Sequence, residues 1–195
     1  FRGRRADCLL GCDEWFARRA AVHPKSRRGK RFSAFGEGSI MCFPPAALFG
    51  EHAIKVGKDT MIGPFVSLSA GMGPHQELLS DHIVEIGDRV LIGRGSSIVG
   101  HFHIVIEEDV FFGPNVYVTD QNHAFNDLTI PIGKQSMPEE PVRIGAGSWV
   151  GTNSVILPGV TIGKHVAIGA GSIVTSDLPD NSVAVGSPAR VIQQF

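Results

Sequence analysis

The sequence predicts an all-β fold, a parallel β-helix built from hexapeptide repeats. Between Arg143 and Thr175 an aliphatic residue returns every six positions, and Gly follows it in most of the repeats. A period of six fits neither an α-helix nor the simple alternation of a strand. It is typical of a β-solenoid, in which each repeat supplies one short strand and one corner.

The repeat extends well beyond this stretch. Every unit begins with an aliphatic residue or Phe, nine have Gly second, and eleven have Ser, Thr or Val fifth. We expect the first residue to point inward, Gly to permit the backbone angles of a corner, and the fifth residue to fit a tight space. Three sides of six residues predict coils of about 18 residues, stacked about 4.8 Å apart. The fifteen units begin at residues 56, 62, 68, 86, 92, 98, 106, 112, 118, 144, 150, 156, 162, 168 and 174.

Two interruptions and two flanks divide the chain. Residues 69–85 keep the phase of the repeat but place Pro74 and Ser80 at inward positions, which favours a loop. Residues 124–141 form an insertion that contains Pro131 and Pro138. The predicted domains are therefore a basic, partly helical flank (1–50), the β-helix with this insertion (51–178), and a C-terminal tail (179–195).

The N-terminal flank has a helical pattern of apolar residues between Arg5 and Val22, followed by an exposed basic loop. We favour a helix packed on the solenoid with a solvated basic face; the alternative is an arm that contacts a membrane surface or a polyanion. Residues 32–49 are expected to cap the first coil. Ten of the eighteen Lys and Arg lie in this flank: Arg2, Arg4, Arg5, Arg18, Arg19, Lys25, Arg27, Arg28, Lys30 and Arg31.

Composition excludes several classes of protein. A net charge of -1 argues against a general nucleic-acid binder. Cys8, Cys12 and Cys42 cannot complete a disulfide framework or a four-thiolate zinc site, so no metal is expected. Free thiols favour a reducing, cytoplasmic compartment. No apolar run approaches the ~20 residues that cross a bilayer.

Two stretches carry a family resemblance: FFGPNVYVTDQNH, and PVRIGAGSWVGTNSVILPGVTIGKHVAIGAGSIVTSDLPDNSVAVGSPARVI. Together they resemble the hexapeptide-repeat acyltransferases, and above all the sugar and xenobiotic O-acetyltransferases that include the galactoside and maltose enzymes. The resemblance implies a left-handed β-helix and a homotrimer with its sites in grooves between subunits. It also implies transfer of an acetyl or other acyl group from acyl-CoA to a hydroxyl of a sugar or polysaccharide.

Such a transfer requires the attacking hydroxyl to lose its proton, and a neutral imidazole is the usual base. The resemblance places His123, where the chain leaves the solenoid for the insertion, at the position of the catalytic base. Further residues match the acceptor side of the site less closely. These are Asp120, Asn122, His101, Arg94 and Asn126.

On the donor side, Trp149 matches the aromatic wall for the pantetheine arm of coenzyme A. Gly151 and Thr152 follow it, and their N–H groups suit the oxyanion that develops on attack. The remaining matches lie near the adenine and phosphate end, where relatives often have Lys in place of Ser176. They are Ala170, Thr175, Ser176 and Arg190.

Three alternatives stay open. One is transfer to serine or to an amino sugar, although the flank is short for the serine enzymes. Another is a zinc-dependent protein of the carbonic anhydrase type on the same solenoid, for which His101, His103 and His123 are the candidate ligands. The third is a non-catalytic scaffold.

Overall fold

The computed structural model describes residues 19–74, 76–78 and 80–195. They form a parallel β-helix with three sheets, which confirms the predicted fold class. Each coil contributes one strand to each of three faces, here called sheets A, B and C. In the last two coils the paired strand residues are 18 positions apart, as in Arg143 with Thr161 and Trp149 with Ala167.

Six coils stack along the axis, each in the order sheet B, sheet A, sheet C. The first three contain β1 (Ala34–Phe35), β2 (Ile40–Met41), β3 (Ala47–Phe49); β4 (Ile54–Val56), β5 (Met61–Ile62), β6 (Ser67–Ala70); and β7 (Val84–Ile86), β8 (Leu91–Ile92), β9 (Ser97–Gly100). The last three contain β10 (Ile104–Ile106), β11 (Phe111–Phe112), β12 (Tyr117–Thr119); β13 (Val142–Ile144), β14 (Trp149–Val150), β15 (Val155–Ile156); and β16 (Thr161–Ile162), β17 (Ala167–Ile168), β18 (Ile173–Val174). Short 3-10 helices lie at Gly29–Arg31, Glu51–Ala53 and Ile132–Lys134.

The inward ladder is the core. All fifteen first-place residues are buried, from Val56 to Val174, and each stacks on its equivalents in the adjacent coils. Burial of apolar surface contributes about 25 cal/mol per Å², so a ladder of this length is the main source of stability. The prediction for the first place is confirmed.

The glycines at the second place have a different role from the one expected. The left-handed backbone angle lies at the fourth place, as in Asn115 (φ 57°) and Asn153 (φ 60°). The second-place glycines instead allow adjacent coils to approach closely: a Cβ on Gly113 would lie 2.7 Å from the amide nitrogen of Thr152. Close approach, and not corner geometry, therefore explains Gly at the second place.

At the four-residue turns the fifth-place residue is buried beside the core, and where it is Ser or Thr its hydroxyl joins one coil to the next. Ser96 Oγ donates to the carbonyl of Gly113 at 3.4 Å and accepts from the amide of Val116 at 3.1 Å. Thr60 makes the same two contacts with Gly87 and Val90. A small hydroxyl at this place thus pairs backbone groups that the corner leaves outside the strand ladders.

The solenoid begins earlier than predicted. Strands β1–β3 lie within residues 32–49, which were expected only to cap it, and pair in register with β4–β6. One unit of this coil, residues 35–40, fits the pattern, with Gly36 second and Ser39 fifth, and Phe35 pairs with Val56. The next unit begins at Met41 and has Cys42 in place of Gly, so the repeat is not sustained there. The predicted helix between Arg5 and Val22 lies almost wholly outside the described residues.

The part of the flank that is described packs on the first coil. Val22 exchanges two backbone hydrogen bonds with Met41, at 2.9 and 2.8 Å. The buried carboxylate of Glu51 pairs with Arg28 at 3.2 Å and with Arg31 at 3.6 Å, so these two bases attach the basic loop to the solenoid.

The C-terminal tail continues sheet A. Strand β19 (Ser182–Gly186) pairs in parallel with β17, and β20 (Ala189–Gln194) folds back on it in antiparallel fashion. The hairpin covers the last edge of the sheet. Within the described ranges, no helix is long and apolar enough to cross a membrane.

Candidate active site

One corner of the β-helix differs from the other two. Eleven turns elsewhere connect successive strands with four residues, whereas the corner from sheet C to sheet B varies from coil to coil. It holds residues 71–83 after β6, residues 101–103 after β9, and residues 120–141 after β12. The predicted loop and the predicted insertion therefore project from the same corner of the molecule.

His123 lies at this corner, in a cavity of about 430 Å³ that we call the His123 cavity. The extended strand β12 ends at Thr119, and the chain then turns outward, so the imidazole is exposed. The amide of His123 donates to Asn122 Oδ1 at 2.9 Å. No described side chain or backbone group bonds to the imidazole ring, which leaves both ring nitrogens open to a ligand.

The walls of the His123 cavity come from five successive coils, from Phe49 in the first to Leu157 in the fifth. His101 and Asn122, both predicted on the acceptor side, line it. Tyr117 and Met72 line it too, and neither was identified from the sequence. Tyr117 occupies the sixth, outward place of its repeat, as Trp149 does, so a large side chain at that place was the available signal.

Asp120 does not line this cavity, contrary to expectation. It is fully buried, and its carboxylate accepts the amides of His101, Phe102 and His103 at 2.8, 2.8 and 2.7 Å. Both oxygens point into the turn after β9, away from the site of an acceptor. The carboxylate therefore fixes the backbone that carries His101.

A second cavity of about 420 Å³ lies on the other side of the histidine; we call it the Thr175 cavity. His123, Asn122 and Leu157 line both cavities, so the imidazole stands between them. Asn126 and Thr175 belong to the second cavity alone. Asn126 thus shares a cavity with Asn122, but not with His101, with which it was also grouped.

Arg94 lies at a different corner. It sits between β8 and β9, where the chain passes from sheet A to sheet C, and it is exposed. The structure therefore does not bring it to His123. Arg94 was matched to the acceptor side across the two extra residues that follow residue 103 in the repeat. Those two residues shift the alignment of the preceding coil, which explains why Arg94 lies elsewhere.

The predicted donor residues fall into two groups. Trp149 is half exposed on the outer face of sheet A, in an apolar row with Phe111 and Ala167. Gly151, Thr152 and Ala170 stack at the corner from sheet A to sheet C, and Arg190 lies on β20 at the end of sheet A. Thr175 and Ser176, by contrast, follow β18 at the corner that carries His123.

This division has a geometric consequence. In a three-sided coil the corner between sheets C and B is opposite sheet A, so Trp149 and His123 face away from each other. No described cavity is lined by both. Within one chain, Trp149 thus contributes to neither the His123 cavity nor the Thr175 cavity.

Within the described ranges, no three His, Cys, Asp or Glu side chains are grouped closely enough to hold a metal ion. Of the three candidate histidines, His103 Nδ1 lies 3.0 Å from the carbonyl oxygen of His82. That contact engages one ring nitrogen with the backbone.

Comparison with known proteins agrees with this architecture. The family model described as bacterial transferase hexapeptide (six repeats) matches residues 141–176. A galactoside O-acetyltransferase of Escherichia coli K12 is 35% identical over 149 residues, which cover 76% of this chain and 68% of that protein. The chain therefore belongs to the hexapeptide-repeat acetyltransferases.

Two further proteins are similar to this chain, one over part of its sequence and one in its fold. A probable acetyltransferase of Mycobacterium tuberculosis is 36% identical over 110 residues, 56% of this chain, but the match spans only 37% of that longer protein. A mutant of the Bacillus cereus N-acyltransferase AntD, solved with dTDP-4-amino-4,6-dideoxyglucose and coenzyme A, superposes with a TM-score of 0.74. It covers 89% of this chain and 90% of that one at 20% identity, which shows the shared fold.

Proposed function

We propose that the protein transfers an acyl group, most simply acetyl, from acyl-CoA to a hydroxyl group of a sugar or polysaccharide. The observation that carries the proposal is the exposed imidazole of His123 between two cavities at the one irregular corner of the solenoid. The acceptor enters through the His123 cavity, and the thioester approaches through the Thr175 cavity.

The chemistry needs one base and no covalent enzyme intermediate. An imidazole nitrogen of His123 takes the proton of the acceptor hydroxyl as its oxygen attacks the thioester carbonyl. The tetrahedral intermediate then collapses, the carbon–sulfur bond breaks, and the imidazolium returns the proton to the leaving coenzyme A thiolate. Such acid–base catalysis contributes about 100- to 10,000-fold to a rate.

The donor groove in this proposal lies between two copies of the chain. One copy supplies His123, Thr175 and Ser176 from its variable corner, and its neighbour supplies Trp149 from sheet A. This arrangement explains why the two groups of donor residues face away from each other within one chain. It is satisfied by a homotrimer, in which each sheet A faces the variable corner of the next subunit.

Gly151 and Thr152 lie at the corner from sheet A to sheet C, where backbone amides join adjacent coils. Gly113 N–H donates to Val150 and Gly171 N–H to Thr152, which shows that this corner lies in the regular stack. The Gly151 N–H already donates to the Ile168 carbonyl at 2.8 Å, so the expected role of this amide as an oxyanion donor is not supported. The Thr152 amide stays a candidate, and a neighbouring subunit would have to present it to the thioester as part of the same two-copy hypothesis. Arg190 on β20 is then placed to meet the phosphates.

The decisive experiment measures thiol release from acetyl-CoA by the full chain over a panel of glycan acceptors. We expect His123→Ala to lower kcat/KM by about 100-fold or more, whereas His52→Ala removes an exposed histidine outside both cavities and changes it by less than twofold. Unchanged turnover in His123→Ala would refute the proposal. Acetylation of the nitrogen of an amino sugar, with no O-acetyl product, would reassign the acceptor.

The two-copy site has a test of its own. His123→Ala and Trp149→Ala should each be inactive alone, but chains refolded as a mixture should regain activity, since some sites then combine intact halves. Native mass spectrometry should give three chains. A monomer with full activity would exclude the shared groove.

Metal analysis of the purified protein tests the zinc alternative. Stoichiometric zinc without acyl-CoA binding would favour that alternative.

A further inference from the structure

A larger cavity adjoins the His123 cavity on the side away from the proposed donor. It measures about 710 Å³ and we call it the Phe102 cavity. Gly71, Met72 and His101 line both cavities, so the two spaces are continuous along the variable corner. The reaction proposed above does not use this second space.

The platform of the Phe102 cavity is held rigidly. The amides of His101, Phe102 and His103 all donate to the buried carboxylate of Asp120. His103 Nδ1 also lies 3.0 Å from the carbonyl oxygen of His82, across the cavity from the turn. A buried carboxylate that accepts three amides fixes its turn strongly, because charge-assisted hydrogen bonds are the strong ones.

The side chain on this platform is an aromatic ring that faces solvent. The side chain of Phe102 is 49% exposed, although its backbone amide is bonded to Asp120. Leu78 and Pro141 add apolar surface beside it. An exposed ring on a fixed turn inside a cavity is suited to bind a ligand, because it offers apolar area at little cost in conformational entropy. The apolar C–H face of a pyranose ring fits such a platform.

The polar groups around the ring suit hydroxyl donors. Glu77 and Glu139 line the cavity, and Gln76 lies beside them. Carboxylates accept hydrogen bonds and donate none when ionised, so they select hydroxyls. Two carboxylates also disfavour an anionic occupant by like-charge repulsion.

We infer that the Phe102 cavity binds the sugar unit next to the one that is acylated, so that the acceptor is a neutral oligosaccharide or polysaccharide. This inference rests on the proposed function. Binding pockets for small molecules span about 300–1,000 Å³, so each of the two cavities has room for one sugar unit. The acylated unit lies at His123, and its neighbour stacks on Phe102.

The test compares acceptors of different length in the same thiol-release assay. The pairs are methyl α-glucoside with maltotriose, methyl β-galactoside with lactose, and N-acetylglucosamine with chitobiose. We expect kcat/KM for the longer member of at least one pair to exceed that of the shorter by about tenfold or more. Phe102→Ala should abolish that preference and leave the monosaccharide rate within about twofold.

The control variant is Phe65→Ala, which deletes an equally exposed ring at a regular corner outside both cavities. It should retain the preference for the longer acceptor, and thermal unfolding should show both variants folded. Equal rates for long and short acceptors in all three pairs would overturn the inference. So would an equal loss with both acceptors in Phe102→Ala.

A binding measurement separates this inference from the function on which it rests. Saturation-transfer NMR with the same oligosaccharides and the full chain requires no turnover. If an oligosaccharide binds, and Phe102→Ala but not Phe65→Ala weakens it, the subsite stands even if no acceptor is acetylated. If neither binding nor turnover depends on Phe102, the subsite is refuted whether or not transfer occurs.

Discussion

The corners of this β-helix are of two kinds, and the difference separates stability from function. Eleven of the turns from sheet B to sheet A and from sheet A to sheet C hold four residues, with a left-handed fourth place and a buried fifth; the turn at residues 42–46 holds five. The corner from sheet C to sheet B holds 71–83, 101–103 or 120–141 in successive coils. Uniform corners let coils stack, whereas the variable corner is free to carry side chains for chemistry.

Asp120 joins two segments of the variable corner, the turn 101–103 and the start of the insertion, and its removal should have the largest effect. Asp120→Ala would leave the amides of residues 101–103 without an acceptor. An unsatisfied buried donor costs about 1–3 kcal/mol, so we expect the free energy of unfolding to fall by about 3 kcal/mol. Urea unfolding of the full chain measures this change.

The matched control for Asp120 is Asp127→Ala, which removes an exposed carboxylate whose bonds stay within the insertion. Its free energy of unfolding should change by about 0.5 kcal/mol or less. If Asp120→Ala lost less than about 1 kcal/mol, the lower end of the cost of one unsatisfied donor, water would be satisfying the amides of the turn. Asp120 would then not be the support of the variable corner.

A pair of glycines tests the uniform corners in the same way. A Cβ on Gly113 would lie 2.7 Å from the Thr152 amide nitrogen, so Gly113→Ala forces adjacent coils apart. Overpacking costs about 1–3 kcal/mol, which should appear as a lower melting temperature. A Cβ on Gly133, in the insertion, would meet no atom within 4 Å.

Gly133→Ala should therefore leave the melting temperature unchanged or raise it slightly, since Ala reduces the entropy of the unfolded chain. Equal destabilisation by the two substitutions would contradict the view that second-place glycines serve coil stacking. Equal tolerance would contradict it as well, because the coils would then have room to separate.

The regular part of the fold was predictable because one physical requirement repeats in it. A stacked coil needs an inward aliphatic residue at each first place, and the positions from Val56 to Val174 show it directly in the sequence. The role of Gly113 was not predictable, since close approach of two coils and a left-handed turn both favour Gly. The first coil was not recognised because only one of its units, residues 35–40, follows the pattern, and Pro44 and Pro45 interrupt the next.

The candidate site was predictable only where a residue ends a regular element. His123 follows β12, so its place at the variable corner could be anticipated from the break in the repeat. The role of Asp120 could not, because its three partners lie 17 to 19 residues earlier in the preceding coil. Nor could the separation of Trp149 from His123, which depends on which face each coil presents.

The smallest effect is expected from a substitution within the insertion, where hydrogen bonds between Asp127 and Thr129 hold a turn. Asp127 accepts the hydroxyl of Thr129 at 2.6 Å and its amide at 2.8 Å, and these bonds lower the pKa of the Asp127 carboxyl. A lowered pKa means that the bonds stabilise the turn above the carboxyl's unfolded pKa. That support is lost as the pH falls through the lower, folded value.

Thr129→Val removes the hydroxyl but keeps the amide, so the pKa of Asp127 should rise part of the way towards its ordinary value. Carboxyl ¹³C NMR over an acid titration measures the shift, with the melting temperature unchanged because Asp127 is exposed. Asp109 is the comparison at a uniform corner, where the guanidinium of Arg89 lowers the pKa of the carboxyl through bonds at 2.7 Å. If Thr129→Val moved the pKa of Asp109 as well, the insertion would be coupled to the stacked coils, and the separation of the two kinds of corner would fail.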